Sequence, residues 1–138
     1  MRETLRAFLE ADGTLSGLLT GGIHSVEEIS RQTAASAFDA QTKELLPCAN
    51  IRLETETPFG PHDSSSQVFI LISFYERLGK ATIDQARERV FALLHRQGLS
   101  GETSIVEIQW TDDITDVWDI GLDSSLALSR YRAIRSNR

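Results

Sequence analysis

The sequence predicts an α+β fold: a mainly antiparallel sheet with an N-terminal helical pair and one long helix packed on one face. Three observations predict it. Leucines recur at i, i+3 and i+4 through the first twenty residues, a second helical period occupies residues 82–97, and the apolar residues elsewhere alternate with period two. The resulting order is helices, two strands, one long helix, then two or three strands. Strands grouped in runs about a single helix favour α+β over a doubly wound parallel sheet, which would alternate the two.

The opening helices carry Leu5, Phe8 and Leu9, then Leu15, Leu18 and Leu19, with a break at Asp12-Gly13 and a stop at Gly21-Gly22. Residues 25–47 are mixed. Ser25 and Glu28 have capping-box spacing, Ala34-Ala35-Ser36-Ala37-Phe38 would extend a helix or begin a strand, and 39–46 would form a further turn ended by Pro47. Ile51, Leu53 and Thr55 alternate with Arg52, Glu54 and Glu56, a strand with one face in water near a sheet edge. Residues 57–66 read as a loop, because Pro58, Gly60 and Pro61 forbid regular structure and the serines after them offer no periodic face.

Residues 67–75 form the strongest strand, with Val68, Ile70, Ile72 and Phe74 on one face and Phe69, Leu71 and Tyr75 on the other. A strand apolar on both faces is central in a sheet covered twice, or is covered once by its own helices and once by another subunit. Thr82-Ile83-Asp84-Gln85 is a capping box opening the long helix, and Gly98 stands where a C′ glycine would close it. Residues 104–110, 114–120 and 125–134 read as the remaining strands.

The 138 residues fit one domain spanning 1–138, large enough to bury roughly two thirds of its unfolded surface and so to fold without a disulfide or metal staple. No apolar run approaches the ~18 residues of a membrane helix, and the acidic N-terminus lacks the pattern of a signal peptide. The chain is therefore expected to be soluble and intracellular, with no membrane partner. The net charge is −6, with 14 basic against 20 acidic residues, which argues against tight sequence-independent binding to nucleic acid. Its distribution is uneven: Asp112, Asp113, Asp116, Asp119 and Asp123 crowd together, followed by Arg130, Arg132, Arg135 and Arg138. These are either two faces of one hairpin attracting each other or patches that meet on neighbouring copies.

Catalytic chemistry finds little to build on. His24, His62 and His95 lack zinc-site spacing, Cys48 has no supporting neighbours for a nucleophile, and the aspartates fail the calcium-loop pattern, with Ile114 at its third position and Val117 at its sixth. The glycine-rich phosphate loops and the nucleophile elbow are missing from the sequence. The expectation is a non-enzymatic protein with no cofactor and no metal.

Several segments together resemble one family. The leucine-rich helical opening with Asp12 and Gly21-Gly22, the extended 67–75 strand, the 82–97 helix with Leu93-Leu94-His95, and the closing strand Ser129-Arg130-Tyr131-Arg132-Ala133-Ile134 are similar to the tail terminator, or tail completion, proteins of long-tailed bacteriophages. The chain departs from that pattern at residues 27–46, which are polar and alanine-rich where the family moves quickly into a proline-containing extended segment. The resemblance implies a subunit of a hexameric homo-oligomeric ring at the head-proximal end of the tail tube, assembled in the host cytoplasm and carried in the virion. Such a ring ends tube polymerisation and offers the surface to which the filled head attaches. Its partners would be the tail tube protein and the head-tail connector protein, with DNA passing through the lumen without sequence-specific binding.

On that reading the partner-interface candidates are Pro58, Phe59, Gly60, Pro61 and His62 in the loop, the aromatic anchors Tyr75 and Trp118, and Arg130 and Arg132. Trp110 is a further aromatic, set against core packing. Asp112, Asp113, Asp116 and Asp119 are the candidate lumen-facing acids, whose joint replacement by Asn is expected to leave folding nearly unchanged. Two alternatives stand beside this reading: another neck protein of the head-completion or connector type, and a non-viral α+β ligand-binding or dimerisation module.

Overall fold

The computed structural model describes residues 1–58, 65–99 and 105–136. The opening forms α1 (Arg2–Glu10) and α2 (Gly13–Leu18) as the leucine spacing predicts. Asp12 makes the joint, its carboxylate accepting the Leu15 N–H at 2.9 Å to cap α2. Gly22 then takes a left-handed φ of 86°, and the chain enters a two-residue strand β1 (Ile23–His24).

Four longer elements and a helix follow: β2 (Cys48–Pro58), β3 (Ser65–Glu76), α3 (Ala81–Leu94), β4 (Ile105–Asp119) and β5 (Ser124–Ser136). The sheet order is β1-β2-β3-β5-β4, with β1 parallel to β2 and every other pair antiparallel. The predicted α+β class is what is observed. The 67–75 strand is central, flanked by β2 and β5, and the strand around Ile51 lies next to the short edge strand β1.

Alternation along the strands sorts side chains onto two faces. Ile70, Ile72 and Phe74 of β3, with Ile51, Ile108, Ala127, Tyr131 and Ala133, pack beneath α1, α2 and α3 through Leu5, Leu9, Leu15, Ile83, Val90 and Leu94, and Val68 is buried as well. The other face is covered at one end by residues 25–47, where Ile29, Ala37 and Leu45 bury Cys48 and half-bury Tyr75. Asn50 fastens this cover, accepting from Val26 N at 2.9 Å and donating to Val26 O at 2.7 Å. Farther along, Phe69 and Leu71 are half-buried, with Arg132 and Arg130 opposite them in register, so arginine stems shield apolar surface there.

Five local expectations are corrected. Ser25 opens no helix, since its hydroxyl donates to Glu3 Oε1 at 2.6 Å; the regular piece within 25–47 is a 3-10 turn at Ala35–Ala37. Thr57, Pro58, Ser65 and Ser66, expected in a loop, belong to β2 and β3, with Pro58 tolerated as the last residue of its strand. Phe59, Gly60, Pro61 and His62 lie outside the described residues. The strands expected at 104–110 and 114–120 are the single strand β4, whose pairing with β5 shifts between Ile105 and Glu107, Trp110 and Asp112, and Ile114 and Val117. At the last shift Asp116 adopts a φ of 59°, the bend of a bulge.

Both ends of α3 depart from the sequence pattern. Thr82 does not cap it; Lys80 is the N-cap residue without a side-chain bond, and Glu76 instead accepts from the Thr82 and Ile83 amides at 3.2 and 3.3 Å. The helix ends at Leu94, and Arg96 rather than Gly98 takes the left-handed φ, at 64°. Gly98 serves close approach: a Cβ there would sit 2.7 Å from the Val106 carbonyl oxygen. The chain pairs here along the outer edge of β4, with Arg96 N donating to Ile108 O, Ile108 N to Gln97 O, and Leu99 and Ile105 exchanging amide bonds.

Candidate assembly surface

Exposed apolar side chains concentrate on β4 and the turn after it. Val106, Trp110, Ile114, Trp118 and Ile120 are 64%, 41%, 44%, 54% and 89% exposed, and Phe91 of α3 is exposed beside them. Phe91 stacks on His95 at 4.8 Å between centroids and meets Trp110 edge-on at 6.0 Å, an aromatic ridge between helix and strand. The Trp110 amide donates to His95 Nδ1 at 3.1 Å, which ties the end of α3 to β4. Apolar surface gathered on one strand marks a contact surface better than scattered residues do.

The four candidate acids are not brought together on one face. Asp112 lies opposite Arg130, 3.6 Å from its guanidinium. Asp113 turns under α3, where Arg87 Nη1 donates to it at 2.7 Å and the Trp110 indole at 2.9 Å; both members of the ion pair are 20% exposed. Burial works to raise the Asp113 pKa, but the Trp110, Ser129 and Arg87 partners outweigh it and hold the carboxyl below its ordinary 3.8. Asp116 pairs with Lys80 at 2.5 Å, and Asp119 accepts the Leu122 amide at 2.8 Å. Three of the four are thus neutralised by cations of their own chain, and the hairpin's acidic and basic runs do attract each other through Asp112 and Arg130.

The other candidates occupy distinct places. Arg130 also donates to Glu54 at 3.1 Å, and Arg132 donates to Gln109 across the β4–β5 pair. Tyr75 is half-buried in the cover formed by residues 25–47, while Trp118 is exposed, so only the second of these aromatics is free to anchor a partner. Pro58 ends β2 at the same end of the sheet as Ser66 and Arg135. Sequence reasoning missed Val106, Ile114, Ile120 and Phe91; the bulges of β4 break the two-residue period that would have shown which of them point outward.

Two cavities flank the Arg31–Phe38 contact, in which the guanidinium sits 5.6 Å from the ring centre. One, of about 550 Å³, is lined by Arg31, Phe38, Tyr75, Asp119 and Leu122 among others; the second, of about 610 Å³, by Arg31, Ala35, Phe38, Ala40 and Lys43 among others. Cys48 is fully buried, and burial pushes its thiol up to about 12, so it stays protonated and unreactive at neutral pH. Among the described residues no group of three His, Cys, Asp or Glu side chains converges as a metal site, and no helix is long and apolar enough to cross a membrane.

No family model matches the sequence, and no curated protein matches it. The fold is similar over nearly its whole length to a chain in a solved structure of the virion of a native gene transfer agent particle. The TM-score is 0.65 at 15% sequence identity, covering 96% of this chain and 92% of that one. At that identity the likeness is one of fold, and it spans the N-terminal helices, the sheet and α3 together.

Proposed function

We propose that this protein is a virion structural subunit of a phage-like particle, acting as the tail terminator. It assembles as a hexameric ring on the head-proximal end of the tail tube, ends tube polymerisation and forms the joining surface for the head-tail connector protein. The observation that carries this reading is the end-to-end fold similarity to a chain of the gene transfer agent virion, since both chains are covered almost completely. The motif resemblance to tail terminators supplies the finer assignment.

A closed ring needs a heterologous contact, two different patches on each subunit that fit each other. The exposed apolar residues of β4 and its turn supply one patch, with Trp118 as an anchor. Pro58, Phe59, Gly60, Pro61 and His62 are the segment assigned to the tail tube or the connector, with Arg130 and Arg132 on the sheet and Tyr75, at the other end of the β2–β3 ladder, as further contact residues. Asp112, paired with Arg130, and Asp119 lie on the sheet face away from α3 and face the lumen, where acidic side chains let DNA slide past without tight binding, whereas Asp116 pairs with Lys80 at the start of α3. Asp113, held beneath Arg87, maintains the packing of α3 on β4.

The deciding experiment is negative-stain imaging of particles assembled with and without this protein. Tubes of uncontrolled length that fail to join heads in its absence, restored to uniform length by adding it back, support the reading. Tubes of normal length with unfilled or leaking heads would assign the protein to head completion instead.

A further inference from the structure

Residues 25–47 leave the sheet and return to it at one place. Gly21 N donates to the Pro47 carbonyl at 2.8 Å and Ala49 N to the Gly22 carbonyl at 3.1 Å, so the two roots of the segment are bound side by side. What lies between them is a closed loop, and it is bonded chiefly to itself: Asp39 N to Glu44 O and Leu46 N to Ala37 O, each at 2.8 Å, and the Arg31 guanidinium to Lys43 O at 3.0 Å. Beyond the roots, its polar ties to the rest among the described residues are the two Val26–Asn50 bonds, the bond from Ser25 to Glu3, and an exposed ion pair of Glu44 with Arg77 at 3.4 Å.

Its apolar contacts are separate as well. Ile29, Ala34, Ala37 and Leu45 gather over Cys48 in a small core distinct from the one beneath the helices. Along the seam, a cavity of about 550 Å³ has Glu28, Ile29 and Arg31 on one wall and Tyr75, Asp119 and Leu122 on the other, so part of this contact forgoes the close packing that fastens the helices. We propose that residues 25–47 are a lid that swings off the sheet as one unit while the helices and the strands stay folded. The bonds between its roots join its own two ends to each other and to β1 and β2, so they stay made when the lid leaves. Opening uncovers one half of two rows that cross the sheet in register: Cys48–Tyr75, which continues into Leu126–Val117, and Asn50–Ser73, which continues into Leu128–Ile114. The lid thereby sets how much of the face away from the helices is available.

The chain carries its own reporter, because its single cysteine, Cys48, is fully buried under the lid. The reference is a Cys48→Ala, Ala127→Cys chain, whose thiol lies in the main core. In native buffer an aromatic disulfide reagent should label Cys48 at least roughly tenfold faster than the reference thiol, with little response to dilute urea, since swinging the lid exposes less surface than unfolding the chain. Adding Val90→Ala, which loosens α3 on the main core, should speed the reference labelling roughly tenfold and leave that of Cys48 unchanged. Amide exchange on the unmodified chain is the second measurement: the Asp39 and Leu46 amides should exchange together, and sooner than those of β3. Equal labelling of the two thiols with the same urea dependence would overturn the proposal, as would acceleration of both by Val90→Ala or loss of lid and β3 amide protection in a single step.

Discussion

Replacing Asp113 with Asn separates the packing role of this acid from the surface role of its neighbours. The carboxylate takes a 2.7 Å bond from Arg87 and a 2.9 Å bond from the Trp110 indole, in a site where both members of the ion pair are 20% exposed. Asparagine keeps one acceptor oxygen but removes the charge and aims an NH₂ group toward a guanidinium whose Nε already lacks a partner among the described residues. Losing a charge-assisted bond of this kind costs about 2 kcal/mol. For a chain of 138 residues that lowers Tm by about 7 °C. Asp112→Asn is the internal control: its pair with Arg130 is 3.6 Å long and about two-fifths exposed, so its cost stays under about 1 kcal/mol.

Thermal melts followed by circular dichroism would measure both, with Trp110 emission as a local report on the lost indole bond. The pH dependence adds a sign. Because the folded state holds the Asp113 carboxyl below 3.8, its contribution is complete well above that value and is lost as pH falls through the lowered folded pKa. The gap between wild type and Asp113→Asn should therefore be full near about pH 6 and close in strong acid. Equal melting of the Asp113→Asn and Asp112→Asn chains would refute the packing role. It would also restore the expectation that all four acids can be removed without consequence for folding.

Three further outcomes follow from the same geometry. Gly98→Ala should destabilise by about 1–3 kcal/mol, because its Cβ would stand 2.7 Å from the Val106 carbonyl; a neutral melt would show that residues 96–99 do not hug β4 so closely. Glu76→Ala should cost about 1–2 kcal/mol and raise amide exchange at Thr82 and Ile83, while Glu76→Gln, which keeps an acceptor oxygen, should recover most of the loss. Arg89 grips Asp12 through two bonds of 2.6 and 2.9 Å and, with the Leu15 amide, pulls its carboxyl down to about 2. The α2–α3 clamp it makes should therefore be whole above the ordinary 3.8 and fail only as pH falls toward 2, an acid tolerance that Asp12→Asn would abolish.

What could be read from the sequence was whatever depends on local period. Asp12 as the joint between two leucine-rich turns and the doubly apolar 67–75 strand at the centre of the sheet follow from spacing alone, and of the helical stripe Ile83, Ala86, Val90, Leu93, Leu94 and Gln97 the structure buries all but Leu93, which is half-buried, and Gln97, which lies past the helix end and is exposed. What escaped depends on distant residues. Glu76 caps α3 from the preceding strand, so the Thr82 capping box, sound as a pattern, had a competitor placed better than its own side chain. Gly98 is dictated by a carbonyl on β4, and β4 itself was split in two because its bulges interrupt the alternation by which a strand is recognised. The same interruption hid the outward side of Ile114 and Val106 and scattered the four aspartates over both faces. The cover at 25–47 has almost no regular structure, and its position was invisible until Asn50 and Cys48 were seen beneath it.

An exposed strand rich in Val, Ile and Trp would ordinarily recruit further strands without limit, the route by which crowded proteins grow into fibres. Here the returning chain at 96–99 already occupies the rim near Ile105 and Ile108, and the kinks at Trp110 and Asp116 leave no long straight run for an incoming backbone to follow. Over that stretch the outer edge of β4 is thus closed to backbone pairing, and only its side chains are offered to whatever approaches it.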